Sequence, residues 1–141
     1  MKYSEIKEIK KYCESLTSEP CYKEVLENIN DDVDDFEVDN VRFIKKSEIN
    51  RIQQEELESD LYTLGCFNSG FLSEVLDIDS DVIESMQEAE AFEAIGKLIL
   101  SLGKLEDLQS DYSCADGYGH HFNHYDSSED EFLSYYVFDN Q

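Results

Sequence analysis

The sequence has no Lys or Arg after Lys104, although nine Asp and Glu residues follow it. Over all 141 residues, 34 acidic side chains stand against 11 basic ones, a formal net charge of −23. Such a field opposes compaction through self-repulsion, and it repels the phosphate backbone of nucleic acids. The charge therefore argues against direct nucleic-acid binding and favours a basic protein as partner.

Other absences narrow the class of protein. No apolar run approaches the roughly 18 residues of a membrane span, and the N-terminal segment MKYSEIKEIKK lacks the apolar stretch of a signal peptide. We therefore expect a cytoplasmic protein. The four cysteines form no Cys-x-x-Cys pair, and we expect them to be small buried hydrophobic residues. No phosphate-binding loop, nucleophile elbow or kinase signature occurs, so we predict neither catalysis nor a cofactor.

What is present indicates a folded chain. Hydrophobic residues make up 40% of it, with eight Phe and nine Tyr, whereas disordered acidic chains are poor in aromatic residues. The length fits one domain. We predict a small, mainly helical α+β domain with a C-terminal β-hairpin and room for one further short strand. Its segments are a helical hairpin at 1–30, an acidic extended segment at 31–46, a helical core at 47–112 and an aromatic, histidine-containing β-hairpin at 113–141.

The clearest predicted helix lies in the helical core. Its N-cap is Asp79 or Ser80, apolar residues recur through it at helical spacing, and Gly103 ends it. Asp79 also belongs to a run of carboxylates spaced as in a calcium-binding loop. Val82 stands where that loop requires Gly, so helix capping is the favoured interpretation.

The tail combines aromatic residues with the three histidines of the chain. Two aromatic runs, 118–125 and 132–138, flank the polar segment DSSEDE, a pattern typical of a β-hairpin. On a strand, His120 and His124 would lie about 13 Å apart, too far to share a metal ion, and His121 would face the opposite side. A metal-dependent or general acid–base site built from one histidine, Cys114, Asp116 and residues elsewhere stays open as an alternative.

Three groups of carboxylates are the candidate partner-binding residues. On an extended backbone, alternate side chains share a face about 6.6 Å apart, a spacing of the same order as that of phosphates along a DNA strand. On a helix, residues three and four apart share a face. The candidates are Asp31, Asp32, Asp34, Asp35, Glu37 and Asp39 in the extended segment, Asp81, Glu84 and Glu88 on the long helix, and Glu129, Asp130 and Glu131 in DSSEDE.

A short chain, extreme acidity over residues 31–141, an aromatic-rich core and no catalytic signature together resemble the small antidefence proteins of phages and mobile elements. The stretches AFEAIGKLI and ADGYGHHFNHYD, followed by YYVF, also look like segments of uncharacterised phage and plasmid proteins. The resemblance implies a DNA mimic of the antirestriction or anti-CRISPR type, which would occupy the basic nucleic-acid channel of a host defence nuclease. The alternatives are a protein-interaction adaptor of a phage or mobile element and the metal-dependent enzyme described above.

Overall fold

The computed structural model describes residues 2–141. Their contacts divide the chain into two compact units. One, here called the sheet unit, consists of the residues up to Ile49 together with Asp116–Gln141, and the other, the helical unit, consists of Asn50–Ala115. The sheet unit combines helices with a four-stranded antiparallel sheet. The predicted α+β class, in which helices dominate, is confirmed.

The elements follow the apolar patterning of the sequence over most of the chain. The helical hairpin predicted for 1–30 is confirmed as α1 and α2, Met1 lying outside the described residues, and α8 extends past the predicted end of the helical core at 112. Within residues 2–141, no helix is both long and apolar enough to cross a membrane. In chain order the elements are α1 (Tyr3–Ser15), α2 (Tyr22–Asn30), β1 (Asp35–Val38), β2 (Val41–Lys45), α3 (Ile49–Glu58), α4 (Leu61–Gly65), α5 (Ser69–Leu76), α6 (Ser80–Glu88), α7 (Phe92–Ser101), α8 (Leu105–Asp116), α9 (Gly119–Phe122), β3 (Asp130–Phe132) and β4 (Tyr135–Asp139).

The sheet has the strand order β1-β2-β4-β3, and all neighbouring strands are antiparallel. Alternate residues along each strand point to the same face. On one face, Phe36, Phe43 and Val137 form a single core with Ile9 of α1 and Val25 of α2. Each of these buried side chains contributes about 1.5–3 kcal/mol, which holds the helical hairpin against this face of the sheet.

The acidic segment predicted to be extended forms the β1–β2 hairpin. Its two-residue turn is Asp39–Asn40, and both residues have positive φ, 49° and 69°. Such a turn matches the twist of the flanking strands, and Asp and Asn tolerate its backbone better than most residues. The sheet thus has two strands besides the C-terminal hairpin, where the sequence predicted room for one.

In the helical unit, the single helix predicted to end at Gly103 is two helices, α6 and α7. The φ of Glu90, between them, is 58°, in the left-handed region, which ends α6 and redirects the chain. Helix α7 then crosses α4 at close range because Gly65 and Gly96 lack a Cβ. A Cβ on Gly96 would lie 2.3 Å from the carbonyl oxygen of Leu61.

The C-terminal hairpin is confirmed, and its strands are β3 and β4, within 130–139. The prediction that 118–125 forms one of its strands is wrong, because α9 lies there. Glu129 stabilises this helical turn, since one of its carboxylate oxygens accepts hydrogen bonds from the N–H groups of Tyr118 and Gly119, at 3.0 and 3.3 Å. The three histidines therefore lie outside the hairpin.

Candidate functional site

The carboxylates predicted from the sequence fall into three clusters. The strand cluster and the loop cluster belong to the sheet unit, and the helix cluster belongs to the helical unit. The strand cluster is Asp31, Asp32, Asp34, Asp35, Glu37 and Asp39, the helix cluster is Asp81, Glu84 and Glu88, and the loop cluster is Glu129, Asp130 and Glu131.

Within the strand cluster, Asp35 is engaged by Arg42. The guanidinium donates to both carboxylate oxygens, from Nε at 2.9 Å and from a terminal nitrogen at 2.7 Å. The Arg42 side chain is only 20% exposed, and its guanidinium carbon lies 5.0 Å from the ring centroid of Phe122. Bidentate geometry and partial burial make this pair stronger than an exposed ion pair. The charge of Asp35 is therefore largely used inside the fold.

Lys45 engages two further members of the strand cluster. Its Nζ lies 2.7 Å from a carboxylate oxygen of Asp32 and 3.3 Å from one of Asp34. The hydrogen bond that its ammonium donates to Asp32, and then the one that it donates to Asp34, raises the pKa of Lys45 above its usual value, although burial opposes the shift. Lys45, the last residue of β2, thus neutralises acids that precede β1.

Asp39 has a structural role in the hairpin turn. Its carboxylate accepts a hydrogen bond at 2.9 Å from the backbone N–H of Cys21, the residue that precedes α2. Asp31 and Glu37 differ from the rest of the cluster. Both are exposed, and within residues 2–141 neither side chain takes part in an ion pair or a hydrogen bond. Only these two members present a carboxylate that the fold does not use.

The helix cluster lies along the exposed side of α6. Asp81, Glu84 and Glu88 are all exposed, while Ile83 on the opposite side of the helix is fully buried. Glu84 accepts a hydrogen bond from the Ser69 hydroxyl at 3.2 Å. Within the described part of the chain, no Lys or Arg lies within ion-pair distance of any of the three. This row of charge lies on one face of a helix and is not neutralised by a Lys or Arg among residues 2–141.

The N-terminus of α6 confirms the capping interpretation of the nearby aspartates. The Asp79 side chain accepts a hydrogen bond from the backbone N–H of Asp81 at 2.9 Å. A side-chain oxygen at this position satisfies an N–H group that has no acceptor within the helix. The spacing that resembled a calcium-binding loop is thus explained by the start of a helix.

The loop cluster is used within the sheet unit. Besides Glu129, which holds α9, Asp130 accepts a hydrogen bond at 2.6 Å from the Tyr12 hydroxyl, and Glu131 lies 3.7 Å from Lys46 Nζ. Burial above all, and then the hydrogen bond to Asp130, raises the pKa of Tyr12 far above its usual value. The Tyr12 ring also stacks on Phe132 at a centroid distance of 4.1 Å. These carboxylates fasten the C-terminal hairpin to α1 and α9.

The histidines do not converge on a site. His120 and His124 are exposed, and His121 packs edge-on against Phe122 with ring centroids 4.6 Å apart. Among residues 2–141, no group of three or more His, Cys, Asp or Glu side chains is arranged to hold a metal ion. The described geometry offers no support for the metal-dependent alternative.

The expectation that the cysteines are buried is correct for Cys13 alone. Cys21, Cys66 and Cys114 are exposed. Burial raises the pKa of the Cys13 thiol to about 11, so this sulfur stays protonated and unreactive at neutral pH. Cys21 and Cys66 flank helices, and Cys114 lies in the last turn of α8, where apolar periodicity gives little information about exposure.

Sequence reasoning missed which carboxylates are already engaged. Part of the signal was available, because a hairpin turning at Asp39–Asn40 brings Arg42 and Lys45 beside the acids of the first strand. The register alone would have paired Arg42 with Glu37, which lies opposite it, and not with Asp35. Sequence reasoning also missed the charge imbalance of the helical unit, which has fifteen acidic residues against three basic ones. Two of those three, Arg51 and Lys104, form ion pairs with acids on their own helix or beside it.

The chain matches no protein-family model, and no curated protein and no solved structure matches it. The likeness to phage antidefence proteins thus remains one of composition.

Proposed function

We propose that this protein is an acidic inhibitor that mimics nucleic acid and blocks the basic nucleic-acid channel of a host defence nuclease, in a CRISPR or restriction complex. One observation carries the proposal. Asp81, Glu84 and Glu88 form a row of exposed carboxylates on an ordered helix, and within residues 2–141 no cation neutralises them.

The spacing of the helix cluster suits this role. With a rise of about 1.5 Å per residue, the steps from Asp81 to Glu84 and from Glu84 to Glu88 cover about 4.5 and 6 Å along the helix axis. Successive phosphates on one DNA strand are separated by about 3.4 Å along the duplex axis, a distance of the same order. A groove lined with Lys and Arg would therefore meet several of its cations with one face of α6.

The cluster is unfavourable for the isolated fold. Like charges three or four residues apart on a helix cost a few tenths of a kcal/mol per pair, and Glu88 lies at the C-terminus of α6, where the helix dipole disfavours an anion. An ordinary helix surface would alternate both signs of charge. A basic partner supplies the missing cations, and opposite fields would speed the encounter by about 10- to 1,000-fold at low salt.

The test is binding to a panel of purified restriction endonucleases and CRISPR effector complexes without their nucleic acid. The variant Asp81→Lys/Glu84→Lys/Glu88→Lys is compared with Glu58→Lys/Glu106→Lys/Asp111→Lys. The second variant reverses three exposed carboxylates of the same unit, so both variants change the net charge equally.

We expect the α6 variant to bind the responsive nuclease at least tenfold more weakly and the control variant to stay within about threefold of the original protein. Equal losses in both variants would show that total charge, and not the helix cluster, governs binding. Binding that survives both the α6 reversals and high salt would favour the adaptor alternative, and no binding anywhere in the panel would contradict the proposal.

A further inference from the structure

We infer that the outer edge of β1 accepts an extended, basic segment of the partner protein as an additional strand. This inference rests on the proposed function in one respect, the basic character of the partner. The strand order places β1 at an edge of the sheet, with β2 as its one neighbour. An edge strand presents main-chain N–H and C=O groups that can pair with another chain.

The hydrogen-bond pattern of the hairpin identifies the outward-facing groups. The N–H of Lys45 donates to the carbonyl oxygen of Asp34 at 2.8 Å, so these two residues form a hydrogen-bonded pair. In an antiparallel ladder, hydrogen-bonded and non-hydrogen-bonded pairs alternate. Phe36 therefore belongs to the next bonded pair, and the main-chain groups of Asp35 and Glu37 point away from β2.

Those groups have no partner in the described structure. Within residues 2–141, no hydrogen bond from outside the sheet reaches the main-chain N–H or C=O of Asp35 or Glu37. An added strand would satisfy all four groups at once. The strand is short, so four main-chain hydrogen bonds are what this edge offers.

The side chains of Asp35 and Glu37 indicate the chemistry of the strand that would be added beside β1. Asp35 and Glu37 lie on the face of β1 opposite the buried Phe36 and Val38, and Glu37 is exposed without an ion pair among residues 2–141. A residue directly opposite Glu37 on an added strand would have its Cβ about 4.5–5.5 Å away, where opposite charges attract and like charges repel. The complement is an extended segment with Lys or Arg opposite Glu37, since the charge of Asp35 is already engaged by Arg42.

The other edge of the sheet provides a comparison within the same unit. Strand β3 has three residues, and the same alternation leaves only Glu131 with its main chain facing outward. The Glu131 carboxylate already lies 3.7 Å from Lys46 Nζ. Charged residues on an edge also discourage pairing with neutral strands, which protects against aggregation. At β1 the acidic side chains disfavour a neutral strand but attract a basic one, so a basic strand is the addition that this edge favours.

The experiment uses the full chain labelled with 15N and the synthetic peptide acetyl-Lys-Val-Lys-Val-Lys-Val-amide. We expect amide hydrogen exchange to slow at least tenfold at Asp35 and Glu37 when the peptide binds, and to change less than twofold at Glu131. A peptide of the same charge, N-methylated at alternate residues, cannot complete the ladder and should give no protection. Glu37→Lys should weaken peptide binding about tenfold, and the matched control Glu131→Lys less than twofold.

Binding without slowed exchange at Asp35 and Glu37, or equal binding of the N-methylated peptide, would overturn the inference, since charge alone would then explain the contact. No binding at millimolar peptide would also overturn it. The two proposals fail separately. A nuclease that binds through α6 without protecting β1 contradicts only the edge site, whereas protection by the peptide with no nuclease bound contradicts only the inhibitor function.

Discussion

In the strand cluster, Arg42 and Lys45 bind three of six carboxylates and the Cys21 N–H binds a fourth, whereas the helix cluster has no Lys or Arg partner among residues 2–141. The two clusters look alike as sequence, since each is a short run dense in Asp and Glu. Their difference comes from topology, because a hairpin places cations from one strand beside the acids of the other. On an isolated exposed helix face no second element supplies a cation.

The comparison divides the negative charge into two kinds. Apart from Asp31 and Glu37, the carboxylates of the strand and loop clusters stabilise the sheet unit, and their removal should cost stability. Carboxylates of the helix cluster repel one another and contribute little to stability, and their removal should cost partner binding instead. Substitutions that measure both quantities test this division.

The largest effect on stability is expected for Asp35→Ala. The substitution removes both hydrogen bonds that the half-buried Arg42 donates to this carboxylate, and hydrogen bonds to charged groups contribute about 1.5–3 kcal/mol. We expect the free energy of unfolding in urea to fall by about 2 kcal/mol. The control Glu88→Ala should change it by less than about 0.5 kcal/mol, as is usual for exposed sites. Equal losses in the two variants would abolish the distinction between the clusters.

Asp39→Ala should cost about 1 kcal/mol of unfolding free energy, as the loss of a helix-capping side chain does. The variant loses the acceptor for the Cys21 N–H and also places Ala at a φ of 49°. Asp39→Asn is the matched control, because Asn keeps a side-chain oxygen and tolerates this backbone. Urea unfolding should show that Asn retains more than half of the lost stability. Identical losses for Ala and Asn would mean that charge, and not the hydrogen bond, matters here.

Tyr12→Phe tests the loop cluster through pH. The variant should be about 1 kcal/mol less stable at neutral pH, because it loses the hydrogen bond to Asp130. In the original protein the raised pKa of Tyr12 means that its contribution is complete below the ordinary tyrosine pKa of 10.0 and is lost as pH rises above it. Unfolding free energies measured from pH 8 to 11 should therefore fall less steeply for Tyr12→Phe. Parallel curves would contradict the role assigned to this pair.

The smallest expected changes in unfolding free energy have opposite signs at the two ends of α6. Glu88→Gln should raise the free energy of unfolding by about 0.3 kcal/mol, because it removes an anion from the C-terminal end of the helix dipole. Asp81→Asn should lower it by a similar amount, since an anion at the N-terminus is favourable. Paired thermal unfolding at low salt can resolve opposite shifts, and both should shrink in 0.5 M NaCl. Shifts of the same sign would contradict opposite effects of the helix dipole on the two carboxylates.

The fold was predictable where local patterning decides the structure. Helical periodicity identified the N-terminal helices, and the Asp39–Asn40 turn lay within the segment predicted to be extended. The break between α6 and α7 gave no signal, because the left-handed residue there is Glu90 and not Gly. The helical turn α9 depends on Glu129, which lies ten residues later in the chain than Gly119. Because local patterning does not reveal this contact, the run of aromatic residues predicted a strand there instead.

The candidate site was predictable as a set of residues but not as a surface. Which carboxylates the fold uses depends on contacts between distant positions, such as Tyr12 with Asp130, 118 residues apart. Neither composition nor spacing carries that information. The helix cluster was identified correctly as one face of a helix because i+3 and i+4 spacing is a local property.

Competition with nucleic acid tests the central claim most directly. The nuclease that binds this protein is titrated with it at rising concentrations of a DNA duplex that the nuclease itself binds, and the apparent dissociation constant is measured. If the helix cluster occupies the nucleic-acid channel, that constant should rise in proportion to the duplex concentration, and Asp81→Lys/Glu84→Lys/Glu88→Lys should no longer displace the duplex. An unchanged dissociation constant, with a stable complex of nuclease, duplex and this protein, would contradict the account.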